Sequence, residues 1–256
     1  MIILGDNIHQ IKQIKSVHRV VSLVPSLTET IASLGGKNKL VGITRFCKYP
    51  LGIEKDVQRI GGTKSIHIQD VESLSPDLIV AVKEENEQKQ VISLAEKFPV
   101  VVFDISDLND ALKMIEVMGM VLGNSDAATA LNQKISKSFE QIPLRQFPDT
   151  LYLIWRKPWM AAGKNTFIND MMSRVGFENL VDGRYPELGD DELAKAKTIL
   201  LSSEPYPFTE KHRQLLQDQY PEKKIVCVDG EMFSWYGSRL LKSARYFKDL
   251  QKVIAR

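Results

Sequence analysis

The sequence predicts an α/β fold of two similar Rossmann-like lobes joined by one long helix, and three observations carry that prediction. First, short β-branched runs alternate with helical patterns through the first half: RVVSLV (19–24), KLVGI (39–43), DLIVAV (77–82) and VVVFD (100–104). Each is apolar on both faces, as strands covered by helices on both sides are. Second, the later half repeats that grammar with TLYLIW (150–155), KTILLS (197–202) and KIVCVD (224–229). Third, the halves are separated not by a Pro/Gly/Ser linker but by SDAATALNQKISKSFEQI, 125–142. There Ala128, Leu131, Ile135, Phe139 and Ile142 form one apolar stripe, with Lys134, Lys137 and Glu140 off it.

A helix over 125–142 is about 27 Å long, the diameter of a small domain. As a connector it joins the lobes stiffly and sets the boundaries: residues 1–124 form the first lobe, 125–147 the backbone helix and 148–256 the second lobe. The competing assignment is one more packing helix inside a single continuous domain. Between the strands, Pro25 followed by Ser26 and Glu29 reads as a capping box at a helix start. Glu87 to Lys97 carries Val91, Leu94 and Ala95 at helical spacing. Thr166, Asp190 and Thr209 are the expected N-caps of the second-half helices.

Composition excludes several classes. A net charge of +2 without a basic run gives no nucleic-acid footprint. No apolar run reaches the roughly 18 residues a membrane helix needs, so direct membrane insertion is not expected. Cys47 and Cys227 lie far apart without CxxC spacing, which fits neither a disulfide scaffold nor a zinc site. The opening MIILGDNIHQIKQ lacks the apolar core of a leader. This leaves two expectations, a cytoplasmic protein or one whose leader is absent from the chain.

No GxSxG, HExxH or GxGxxG occurs, and AAGKNT, with Pro158 five positions before Gly163 and Asn165 after Lys164, is not a phosphate loop. His9, His18, His67 and His212 never fall at metal-ligand spacing on one element. No catalytic residue, metal ligand or cofactor is therefore expected. Cys47 acts as a nucleophile only if a histidine approaches it; otherwise it is a buried thiol.

The informative residues follow the strands, where open α/β sheets bind ligands. KLVGI leads into Arg45, Phe46 and Tyr49, and GGTK supplies Lys64. LIW leads into Arg156 and Trp159, ILLS into Tyr206 and Phe208, and KIVCVD into GEMFSWYGSRL with Trp235, Tyr236 and Arg239. Large flat rings beside guanidinium forks suit a bulky, partly anionic, ring-containing ligand. A strand-end tryptophan otherwise plugs a core. That is the expectation for Trp155, which shares strand parity with Leu151 and Leu153.

These stretches resemble a known family. RVVSLVPSLTETIASLG, GGTK, PDLIVAVKEEN, IWRKPWMAAGKNTFINDMM, LLSSEPYPF and DGEMFSWYGSRLL resemble the helical-backbone metal receptors. Those are the class III solute-binding proteins of ABC importers for cobalamin, ferric siderophores and haem. The match runs from about Arg19 to near the C-terminus and is more specific in the second half. The resemblance implies two lobes on one long helix, a metal chelate held between them, extracytoplasmic work as a monomer, and an importer permease as partner. It further implies docking of that permease by an acidic residue on each lobe, here Glu85 or Glu87 and, on the second, Glu204. These glutamates equally suit a solvated helix start. The His and carboxylate ligands of the zinc and manganese receptors are missing, so a free-ion cargo is not expected. The rival is a cytoplasmic protein of this fold with an enzymatic or chaperone role on a cofactor, in which Cys47 takes part.

Overall fold

The computed structural model describes residues 1–14 and 16–255 and separates into two compact units. The first unit contains Met1–Ile105, Asn109–Lys134 and Tyr236–Arg239. The second contains Ser106–Leu108, Ile135–Trp235 and the residues from Leu240 on.

In the first unit the chain forms β1 (Ile2–Leu4), α1 (Ile8–Ile11), β2 (Val20–Ser22), α2 (Pro25–Ser33), β3 (Leu40–Ile43) and α3 (Ile53–Asp56). It continues through β4 (Gln58–Arg59), β5 (Gly61–Gly62), β6 (Ser65–Ile66), α4 (Ile68–Ser73), β7 (Leu78–Val82), α5 (Gln88–Ala95) and β8 (Val100–Phe103). Six strands pair in the order β1-β8-β7-β2-β3-β4, all parallel. Every residue of β2 and β7 is buried, as their two-sided apolar sequence requires. Strand β5 pairs with β6 as a small hairpin.

Asn86 clamps the carboxyl end of this sheet. Its Oδ1 accepts the Val82 amide at 2.9 Å, and its Nδ2 donates to the Leu23 carbonyl at 3.1 Å and the Thr63 carbonyl at 3.0 Å. The loops after β2 and β7 and the β5–β6 turn are thereby held together by one buried side chain.

The expected capping box at Ser26 and Glu29 does not form. Helix α2 begins at Pro25, behind Val24, with no side-chain cap. Proline's fixed φ suits the first helical position, which moves the start one residue earlier than Ser26. Glu29 is used elsewhere: its Oε2 accepts from Arg239 Nε at 2.8 Å, with the two side chains 13 % and 3 % exposed. Gly237, at φ +75°, makes that approach possible. A Cβ there would lie 1.9 Å from Thr30 Oγ1, the atom that accepts the Ser238 amide at 3.1 Å.

Two long helices come next, α6 (Leu108–Leu122) and α7 (Ser125–Glu140). Of α7, residues up to Lys134 belong to the first unit and those from Ile135 to the second. Its 16 residues rise about 24 Å, and Ala128, Ile135 and Phe139 of the predicted stripe are buried.

The second unit comprises β9 (Phe147–Trp155), β10 (Trp159–Ala161), α8 (Phe167–Val175), β11 (Phe177–Asn179), β12 (Glu187–Leu188) and α9 (Asp190–Lys195). After them come β13 (Thr198–Ser202), α10 (Glu210–Gln219), β14 (Lys224–Val228), α11 (Glu231–Ser234) and α12 (Leu240–Ile254). Its sheet runs β12-β10-β9-β13-β14, with β11 also on β9. Strands β9, β13 and β14 are parallel, whereas β10 and β12 add antiparallel edges, so this lobe is mixed where the first is parallel. Phe233 is fully buried between Tyr152, 5.0 Å away by ring centroids, and Phe247, 4.7 Å away.

Thr166 caps α8 by accepting the Asn169 amide at 3.2 Å. Thr209 precedes α10 as expected, whereas Asp190 is already the first residue of α9 and Gly189 is its cap. Among the described residues no helix is long and apolar enough to cross a membrane.

Candidate functional site

In the second unit, aromatic residues converge beyond the carboxyl ends of β9 and β13. Phe208 is the foundation: it is buried among the core residues, and its amide returns to the Ser202 carbonyl at 3.3 Å. Trp159 stacks on it at 6.1 Å with the rings 10° from parallel. Tyr206 packs against Phe208 at 4.7 Å and meets Trp155 edge-on at 5.6 Å. Arg156, in the tight turn from β9 to β10, holds its guanidinium over the Trp159 ring at 5.7 Å. Trp155 is 41 % exposed, and Trp159 and Tyr206 are half-buried. The surface is therefore a pre-packed set of rings, open to solvent at Trp155 and in part at Trp159 and Tyr206, with a phenol and one cation. Such a surface can stack against a flat or corrugated ring system and pair with an anionic substituent.

The corresponding loops of the first unit are different. Arg45 is fixed at its backbone by donation to the Gly61 carbonyl at 2.8 Å, and its exposed guanidinium sits over Phe46 at 4.9 Å. Phe46 is 46 % exposed, and Lys64 is exposed at the β5–β6 turn. Tyr49 is half-buried and receives the Arg239 guanidinium on its face at 4.1 Å. Beneath them Cys47 is buried, its Sγ 3.1 Å from Thr28 Oγ1 and 3.3 Å from Thr44 Oγ1. Burial pushes the Cys47 thiol above its ordinary pKa, so it is a neutral thiol at physiological pH.

The profile of the periplasmic binding protein family matches residues 20–200. The chain belongs to this family. It is 23 % identical over 244 residues to a vitamin B12-binding protein of Pectobacterium atrosepticum, covering 89 % of this chain and 86 % of the relative. It is 26 % identical over 195 residues to an uncharacterized ABC transporter substrate-binding lipoprotein of Bacillus subtilis, covering 71 % and 62 %. The crystal structure of the periplasmic vitamin B12 binding protein of Vibrio cholerae superposes with a TM-score of 0.78 at 19 % identity, covering 94 % of this chain and 98 % of that one. At that identity the likeness shows the fold. It is the two-lobed α/β fold of the periplasmic binding proteins, as the sequence predicts. The family is one of substrate-binding proteins rather than enzymes.

Within this family framework the predicted residues separate into groups. Arg156, Trp159, Tyr206 and Phe208 come together in the second unit, although Phe208 turns inward as support. Arg45 and Phe46 form an exposed pair in the first, and Lys64 stands on the neighbouring hairpin. Tyr236 is 4 % exposed and Arg239 2 %, and both belong to the first unit. Trp235, half-buried, ends α11 in the second.

Of the acidic residues, Glu85 is half-buried and Glu87 is exposed at the start of α5. Glu204 is half-buried, and its Oε1 accepts from Ser234 Oγ at 2.6 Å, tying it to its own unit.

Trp155 and His212 lie where the sequence pattern does not place them. Trp155 was expected in the core, but β9 runs one residue past the core layer and its last side chain emerges. His212, dismissed for want of metal spacing, bonds Tyr206. Its position three after Thr209, where a capping-box acceptor belongs, is the signal that could have found it. Among the described residues no group of three or more His, Cys, Asp or Glu is placed to hold a metal ion.

Proposed function

We propose that this protein is the substrate-binding component of an ABC importer and that its cargo is a corrinoid-class metal chelate. The observation that carries this is the ring platform of Trp155, Trp159 and Tyr206 on Phe208. It offers stacking area and hydrogen bonding for a large macrocycle and no ligand set for a bare ion. Arg156 in the second unit, with Arg45 and Lys64 in the first, matches peripheral amide, carboxylate or phosphate groups. Phe46, Tyr49 and Trp235 add apolar contact. The sequence kinship to vitamin B12-binding proteins favours a corrinoid over haem or a ferric siderophore.

The protein works outside the cytoplasmic membrane as a monomer and hands its cargo to a permease. The substrate-binding lipoprotein relative supports that setting. Glu85 and Glu87 are the first-unit docking residues, and Glu204 takes the second-unit role less readily because Ser234 already holds it. A cofactor-processing enzyme is not favoured, since its candidate nucleophile Cys47 is a buried, protonated thiol.

Titration of cyanocobalamin, haemin and a panel of ferric siderophores, followed by tryptophan fluorescence, tests the proposal. Sub-micromolar binding of cyanocobalamin is expected. Tight binding of haemin alone moves the cargo to the porphyrins, and flat titrations across the panel overturn the proposal.

A further inference from the structure

His212 is the third residue of α10, and its ring bridges two features that the proposed function does not connect. On one side the Thr209 backbone amide lies 3.0 Å from Nδ1, and Thr209 Oγ1 lies 3.0 Å from the same atom. On the other side Nε2 lies 3.2 Å from Tyr206 Oη. A backbone N–H can only donate, so Nδ1 is the bare acceptor and the single ring proton sits on Nε2. Nε2–H therefore donates to the Tyr206 phenol. The ring also stands edge-on against Tyr206 at 5.4 Å and Phe208 at 5.6 Å, so it packs against the platform as well as bonding to it.

We infer that His212 is a positioning residue for the ligand platform: in its neutral Nε2–H form it fixes Tyr206 beside Trp155, and its protonation releases that hold. The inference rests on the proposed role of the platform. A second proton on Nδ1 would face the Thr209 amide donor-to-donor and leave Thr209 Oγ1 as its one acceptor, so the ring must turn from the amide toward the hydroxyl, which breaks the backbone half of the α10 cap and shifts the Nε2–H that holds Tyr206.

Desolvation and the charges around the ring favour the neutral form. Desolvation, reinforced by Arg156 facing it from the β9–β10 turn and Lys211 from its own helix, holds it below the ordinary histidine pKa. Tyr206 contributes its phenol. Glu210 on the same turn is taken by Arg213, and Cys227 of β14 faces that pair. Because the folded pKa is depressed, the stabilisation of the neutral arrangement is complete above the ordinary value. It is lost as pH falls through the depressed one.

The test compares wild type with His212→Gln, which keeps an acceptor for the Thr209 amide and removes the titration. In the ligand-free protein, tryptophan emission should change between pH 7.5 and 5 in wild type and stay flat in the variant. Cyanocobalamin affinity should fall roughly fivefold over that range in wild type, the worth of about one net hydrogen bond, and less than twofold in the variant. Emission that is flat in wild type, or that titrates identically in His212→Gln, overturns the inference whatever ligand binds. Emission that titrates only in wild type, with no cyanocobalamin binding at any pH, upholds the positioning role and overturns the cargo assignment instead.

Discussion

The carboxyl end of the second unit's sheet is built from interlocked rings, whereas the matching loops of the first unit carry exposed cations. The rings buttress one another from buried Phe208 outward to Trp155, which is 41 % exposed. Arg45 and Lys64 stand on short loops with solvent around them. Rings already packed lose little freedom on binding, so their contact area appears as affinity. Exposed cations are screened and mobile, and they contribute orientation and encounter rate more than grip. On the proposed function, this difference would give affinity to the second unit and steering to the first.

Arg239 belongs neither to the rings nor to the exposed cations. It is the most deeply buried cation of the predicted set and is paired with Glu29. Replacing it, as Arg239→Leu, breaks a buried pair and should lower unfolding stability by about 3 kcal/mol. Denaturant midpoints check this, and cyanocobalamin affinity of the folded variant should stay near wild type. Trp159→Ala comes next, with affinity down about thirtyfold by calorimetry, the scale of an interfacial tryptophan anchor. Trp155→Ala should cost about tenfold in affinity. Because the side chain is already open to solvent, its stability should move by no more than about 0.5 kcal/mol. Arg45→Ala is the smallest, about twofold at low salt and undetectable at high salt. An Arg45 effect larger than that of Trp159 would contradict the rings as the source of affinity.

Much of the fold was legible because strands buried on both faces announce themselves. RVVSLV, DLIVAV and KIVCVD each contain the strand they predict. What was missed is short or distant. Strand β1 spans three residues and shows only one buried side chain, so its sequence carries no strand pattern apart from its pairing with β8. The antiparallel edges β10 and β12 are equally brief.

The site was legible as residue types following strands, and the second unit brings Arg156, Trp159, Tyr206 and Phe208 together. Parity misplaced Trp155 because alternation predicts a face but not where the core layer stops. Nothing local could have shown that Arg239 meets Glu29 across 210 positions. That pairing depends on Gly237 passing close to Thr30.

On the proposed function, a ring platform rather than a set of charges holds a corrinoid-class cargo. Isothermal titration of cyanocobalamin into wild type, Trp155→Ala/Trp159→Ala and Arg45→Ala/Lys64→Ala tests it directly. Sub-micromolar binding to wild type is expected, with loss of more than about a hundredfold in the aromatic pair and only a few-fold in the cationic pair. Absence of binding to wild type, or a greater loss in the cationic pair, would contradict it.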